Sequence, residues 1–296
     1  MTKFRRVKLK TGVTLNVALA GPADAPPVIL LHGFPESHRT WREIAPRLKD
    51  RFRLIMPDQR GYAGSDRPQE VGDYKTDLLV NDIFALAGGL GVERFSLVGH
   101  DWGGAVAWAA ARRDDPRVER LAIVNSPHPI IFQMSLIEDG DQRAASQYIN
   151  AFKAPGFETL VEAKGFDWLF EKTFSGHVDL DSIPEAEKQQ YIAEWSQPGA
   201  LTAMLNWYRA SPVMVPPGVT VPLPDALLRV AGRIRIPTLV VWGMRDKALL
   251  PVQLDGLEQV VEDLAIVRIP DAGHFAPWEA PGPVARALGD FLTDRG

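Results

Sequence analysis

The chain has 296 residues, 46% of them hydrophobic and 24% charged, with a formal net charge of −4 and no cysteine. That length buries a large core, in one domain with an insertion or in two. The composition excludes disulfides, thiol nucleophiles and thiolate metal sites, and without a basic stripe no nucleic-acid partner is expected.

No apolar run reaches the roughly 20 residues that span a bilayer, so no membrane span is expected and the chain reads as cytoplasmic. Lys3, Arg5, Arg6, Lys8 and Lys10 loosely imitate the start of a secretion signal. The apolar stretch behind them is short, interrupted by Thr14 and Asn16, and alternates as a strand does.

In chain order, residues 4–9 and 13–20 read as two strands around a turn at Lys10, Thr11 and Gly12. Residues 28–31 are a buried strand ending in His32-Gly33-Phe34-Pro35. Residues 40–48 read as a helix and 53–56 as the next buried strand. A helix over 75–90 follows, with Leu78, Leu79, Ile83, Leu86 and Leu90 on one face. The apolar strand 95–98 runs through Gly99-His100-Asp101-Trp102-Gly103-Gly104 into an alanine-rich helix, and a further strand covers 121–124. The sheet resumes at 237–243, followed by a helix near 252–261, a strand at 265–270 and a last helix over 281–292.

This alternation predicts an α/β fold: a mostly parallel central sheet with helices on both faces. Between 127 and 230 no buried strand is found. That stretch reads as amphipathic helices rich in aromatics, closing in a proline-rich loop over 212–224. The predicted organisation is a core of 1–126 and 231–296 with a helical lid of 127–230 inserted into it.

Strand, sharp turn and helix with a reactive residue at the turn form a nucleophile elbow. Here Asp101 stands where serine is usual. Its flanking glycines are expected to relieve crowding and to supply the positive φ of such turns. Asp246 and His274 follow, each in a loop just past a predicted strand. Nucleophile, acid and histidine in this chain order are the order of the α/β-hydrolase fold, and ligand sites in such sheets lie at the carboxyl ends of strands. Alone, His274 would be an ordinary loop histidine and Asp246 a turn residue. The backbone amides of Phe34 and Trp102 are the expected oxyanion donors.

Over essentially its whole length the chain resembles the epoxide hydrolase branch of the α/β-hydrolase superfamily. The matching motifs are His32-Gly33-Phe34-Pro35-Glu36, Asp58-Gln59-Arg60-Gly61-Tyr62-Ala63-Gly64-Ser65-Asp66, Gly99-His100-Asp101-Trp102-Gly103-Gly104, Asn125-Ser126-Pro127-His128-Pro129 and Leu205-Asn206-Trp207-Tyr208-Arg209. The resemblance implies two lid tyrosines, matched by Tyr148 and Tyr208. It also implies an alkyl ester on Asp101, hydrolysed by water that His274 and Asp246 activate. Haloalkane and fluoroacetate dehalogenases share the aspartate. Haloalkane dehalogenases usually carry Asn where this chain has Phe34, and fluoroacetate dehalogenases carry arginines where it has Trp102 and Ala105.

A carboxylate is ionised at neutral pH and attacks an sp³ carbon without a base. An epoxide then leaves as an alkoxide, which tyrosine hydroxyls serve, whereas a halide needs N–H donors and no proton. The expectation is a cofactor-free and metal-free epoxide hydrolase with a small hydrophobic epoxide and water as its partners. Haloalkane dehalogenase is the alternative, and a non-catalytic ligand-binding protein of the same fold a further one. His32, Pro35, His128 and Trp207 are expected to line the substrate site. His38 and His177 read as exposed and Tyr191 as structural. Self-association into a homo-oligomer is left open.

Overall fold

The computed structural model describes residues 2–218 and 232–293. Eight strands form one sheet in the order β1-β2-β4-β3-β5-β6-β7-β8. They are β1 (Lys3–Lys8), β2 (Thr14–Ala20), β3 (Pro27–Leu31), β4 (Arg53–Pro57), β5 (Phe95–His100), β6 (Val118–Val124), β7 (Thr238–Gly243) and β8 (Leu264–Ile269). The β1–β2 and β2–β4 pairings are antiparallel, and every pairing from β4 to β8 is parallel.

Successive side chains of a strand face opposite ways, so each apolar run feeds two cores. Ile29, Leu31, Ile55, Leu97, Ile123 and Val240 pack on one face, against α2 (Thr76–Gly89) and α3 (Trp102–Ala111). Val28, Leu30, Leu54, Val98, Val124 and Val241 pack on the other, with Trp41, Ile44, Leu48 and the last helix. The chain order reverses around β3, which places a crevice between the ends of β3 and β5.

Two expected helices are each split. Residues 40–48 divide into a 3₁₀ turn, His38–Trp41, and a short α1 (Ala45–Leu48). Pro46 has no amide hydrogen and is tolerated only in a helix's first turn, so the second piece starts around it. Residues 252–261 divide into a 3₁₀ turn, Pro251–Leu254, and a short helix, Leu257–Val260, with Gly256 at φ +80° between them.

Between β6 and β7 the chain leaves the sheet as α4 (Pro129–Glu138), α5 (Gly140–Ala145), α6 (Gln147–Lys153), α7 (Phe157–Lys164), α8 (Phe166–Phe174), α9 (Glu185–Trp195) and α10 (Ala200–Ala210). The end of the proline-rich loop at Pro224 and the boundary expected at 230 and 231 fall outside the described residues. Past β7, the short Leu257–Val260 piece is α11, followed by α12 (Ala276–Glu279) and α13 (Pro281–Thr293).

Buried aromatic N–H and O–H groups need partners, and here those partners lie on the sheet's loops. Trp195 Nε1 donates to Pro35 O at 2.6 Å, Trp207 Nε1 to Arg60 O at 3.0 Å, and the Tyr191 hydroxyl to Glu36 Oε1 at 2.7 Å. Arg39 adds an ion pair with Glu187. Tyr191 thus serves as an anchor.

At the elbow, the positive φ belongs to Asp101 itself, at φ 49° and ψ −122°, and not to the glycines beside it. Their role is space. A Cβ on Gly99 would overlap Gly103 O, and one on Gly103 would overlap Leu31 O and His32 O. Backbone oxygens of a central strand cannot yield. Gly103→Ala is expected to cost about 2–4 kcal/mol in urea unfolding, while Gly88→Ala, whose new methyl meets nothing within 4 Å, leaves stability within about 1 kcal/mol of wild type.

Candidate active site

The elbow presents the Asp101 carboxylate at the end of β5, with its side chain 12% exposed. Its Oδ1 accepts from the Phe34 amide at 2.7 Å. A Cβ on Gly33 would fall on the Asp101 carboxylate, so only glycine admits this approach of the β3 loop. The Ser126 hydroxyl donates to Asp101 O at 2.7 Å and pins the turn from the β6 side. No hydrogen bond from the Trp102 amide to Asp101 occurs among the described residues.

Three loops at strand ends bring the expected triad together. His274 Nδ1 lies 2.8 Å from Asp246 Oδ2, and its Nε2 lies 3.7 Å from Asp101 Oδ2. Asp246 Oδ1 also accepts from the amides of Ala248 and Leu249, each at 2.9 Å. Its Oδ2 accepts from Asn125 Nδ2 at 2.9 Å, while Asn125 Oδ1 accepts from Gly243 N at 2.9 Å. Asn125 thereby locks the Asp246 loop to the end of β6.

Electrostatics follow from this geometry. Burial opposes the Asp246 charge, yet the His274 charge and these hydrogen bonds outweigh it and hold the carboxyl below its usual range. Burial likewise opposes a charged His274. The Asp246 charge and hydrogen bond, then Asp101, win and raise it to about 9. The resting imidazole is therefore a cation between two carboxylates.

Tyr148 and Tyr208 face each other edge to face at 6.3 Å and line one cavity with Asp101. Burial, and then the Asp101 charge, push both phenols up, so both keep their protons. The Trp102 indole stands edge-on to Tyr208 at 5.0 Å.

The cavity holds about 440 Å³ and is walled by Phe34, Phe152, Phe157, Trp168, Leu169 and Phe275. A smaller space of about 70 Å³, bounded by Trp102, Pro129, Phe132 and Ile149, flanks Asp101 on the far side and shares both tyrosines.

The expected substrate contacts need correcting, because none of the four lines either space. His32 is fully buried, taking the Gln59 amide on Nε2 at 2.9 Å and turning Nδ1 to Gly33 O. Burial lowers it to about 4, so it is a neutral brace for the loop. Pro35 gives its carbonyl to Trp195. Trp207 is spent on Arg60 O, and His128 is buried edge-on to Trp108 at 5.3 Å. Two exposed readings also change. His38 is half-buried and bonds Asp58 Oδ1 at 2.7 Å, while His177 is half-buried and lines the cavity. The helices that wall the cavity carried an aromatic signal in sequence, but not which aromatics face inward.

Among the described residues no cluster of His, Asp and Glu is arranged to hold a metal, and no helix is long and apolar enough to cross a membrane.

A family model described as the alpha/beta hydrolase fold matches residues 26–281. A solved structure reported among novel epoxide hydrolases of the alpha/beta hydrolases superfamily, from metagenomes of hot environments, superposes with a TM-score of 0.89. It is 47% identical, over 100% of both chains. The chain is 34% identical to the AB hydrolase superfamily protein YfhM of Bacillus subtilis over 96% of each. It is 31% identical to epoxide hydrolase 3 of Xenopus tropicalis, over 96% of this chain and 76% of that one.

Because His274 is raised from 6.5 to about 9 on folding, its stabilising effect is complete below 6.5 and is lost as pH rises through about 9. Thermal midpoints measured across this window should fall more steeply for wild type than for His274→Gln. Parallel curves would exclude the imidazolium.

Proposed function

The chain belongs to the alpha/beta hydrolase fold family, in its epoxide hydrolase branch, and we propose that it opens epoxides to vicinal diols through an alkyl ester on Asp101. The observation that carries this reading is the pair of protonated tyrosines in one cavity with the amide-held carboxylate of Asp101.

In the first step Asp101 Oδ2 attacks a ring carbon and the carbon–oxygen bond of the ring breaks. Tyr148 and Tyr208 hydrogen-bond the ring oxygen and pass a proton to the alkoxide as it forms. Oδ1 is already committed to the Phe34 amide, so the oxygen nearer His274 is the free nucleophile.

Alkylation turns a carboxylate into a neutral ester. One of the charges that keeps His274 protonated is then gone, and His274 sheds its proton to replace the one the tyrosines gave up. The neutral imidazole, oriented by Asp246, takes a proton from water, whose oxygen adds to the Asp101 carboxyl carbon. The oxyanion develops on Oδ1 against the Phe34 amide, with Trp102 N–H the second donor once the carbon is tetrahedral. Collapse expels the diol and restores the carboxylate. Charge on Asp101 thus switches His274 between cation and base within one turnover.

The described residues 127–218 form the cap in this reading, closing an apolar site over a core of 2–126 and 232–293. The apolar wall suits a hydrophobic epoxide. A halide would compete poorly, since Phe34 offers no side-chain donor.

With styrene oxide the wild type should release the diol, and with 1-bromobutane little or no bromide. Bromide release in preference to diol points to the dehalogenase, and no product from either to a binding protein. His274→Ala should stop at the ester, read by mass spectrometry as enzyme plus one substrate. Replacing both tyrosines with phenylalanine should slow ester formation by about 10²-fold or more. An undiminished rate removes them from the mechanism.

A further inference from the structure

Ester hydrolysis needs water at His274 at the moment when the bound alkyl group fills the apolar cavity. A water molecule travels only where it finds polar partners. The aromatic walls of that cavity offer few, and beyond Asp101, Tyr148, Tyr208, His177 and His274 its polar lining is Lys172 and Thr173.

A second opening lies on the other side of His274. It is a polar cleft of about 810 Å³, bordered by Asp179, Arg245, Lys247, Asp271, Gly273 and Glu279. Arg245 and Asp271 side chains are 67% and 82% exposed, so the cleft meets bulk solvent. Gly273 precedes His274 in the chain, and its amide donates to Glu279 Oε2 at 2.8 Å.

One residue, His177, borders both spaces. It follows α8, with its amide on Phe174 O at 2.9 Å. Its ring centroid lies 5.6 Å from that of His274 and 5.7 Å from that of Phe275. Nδ1 is buried and has no protein partner. Burial, then the His274 charge, lowers His177 to about 4, so it stays neutral, with one ring nitrogen a donor and the other an acceptor. Such a ring can donate to one water and accept from another.

We propose that His177 is a positioning residue that hands the hydrolytic water from the polar cleft to His274, so that water and epoxide reach Asp101 by separate routes. The proposal rests on the ester mechanism above. It assigns His177 no contact with the reacting carbon and no proton transfer of its own.

The test is single-turnover kinetics with styrene oxide, following ester formation and ester decay separately. In His177→Leu the rate of ester formation should stay within about twofold of wild type. Ester decay should slow about tenfold, the worth of roughly one lost hydrogen bond. At steady state kcat and KM should then fall together, and acid-quenched enzyme should carry the ester mass. His177→Gln keeps a donor and an acceptor and should restore most of the decay rate. His177→Phe serves as a second apolar variant, and thermal midpoints confirm folding. Equal slowing of both steps, or unchanged partitioning in a wild-type-like fold, overturns the route alone. A wild type that forms no ester overturns the reaction scheme and the route with it.

Discussion

Everything at the site hangs on one backbone constraint, the turn at Asp101. An L-residue at φ 49° and ψ −122° carries strain of order 1–3 kcal/mol, which persists only where the surroundings over-determine it. Here a central strand fixes one side and α3 the other. Gly99 and Gly103 let strand, helix and the β3 loop pass within backbone contact, and Ser126 ties the Asp101 carbonyl. The same geometry presses the Phe34 amide onto Oδ1. Asp101 is therefore held chiefly through the backbone, with the Ser126 hydroxyl as a side-chain tie.

On that frame the electrostatics are simple. Two carboxylates and one imidazole share a buried space, and their negative charge keeps the imidazole protonated. Burial, and then the Asp101 charge, keep both tyrosines protonated. The groups that must be acids stay acids until the nucleophile has lost its charge.

The layers of the fold were legible in the sequence because buried strands and amphipathic helices write different periods. That Asp101, Asp246 and His274 come together was legible because each follows a strand, and strand ends share one edge of a parallel sheet. What stayed hidden was set by packing between elements far apart in sequence. His32, Pro35 and Trp207 sit in motifs that surround the site, yet each is consumed in holding a loop or a helix, which motif position alone does not reveal. His177 lies in an irregular stretch with no period to place it. Asn125 was visible at a strand end, but its partner Asp246 is separated from it by the helices between β6 and β7. The two split helices turn on Pro46 and Gly256, where a local breaker outweighs a continuous apolar pattern.

Residues 34 to 36 have a double allegiance. Phe34 gives its amide to Asp101, Pro35 its carbonyl to Trp195, and Glu36 its carboxylate to Tyr191. Two of these bonds fasten α9 and one holds Asp101 Oδ1, all within a single tripeptide. A cap that loosens by a fraction of an ångström drags the amide off its target while the sheet beneath is intact. Heat should accordingly silence this enzyme some degrees before it melts it, because the tripeptide that fastens α9 is also the one that holds the carboxylate.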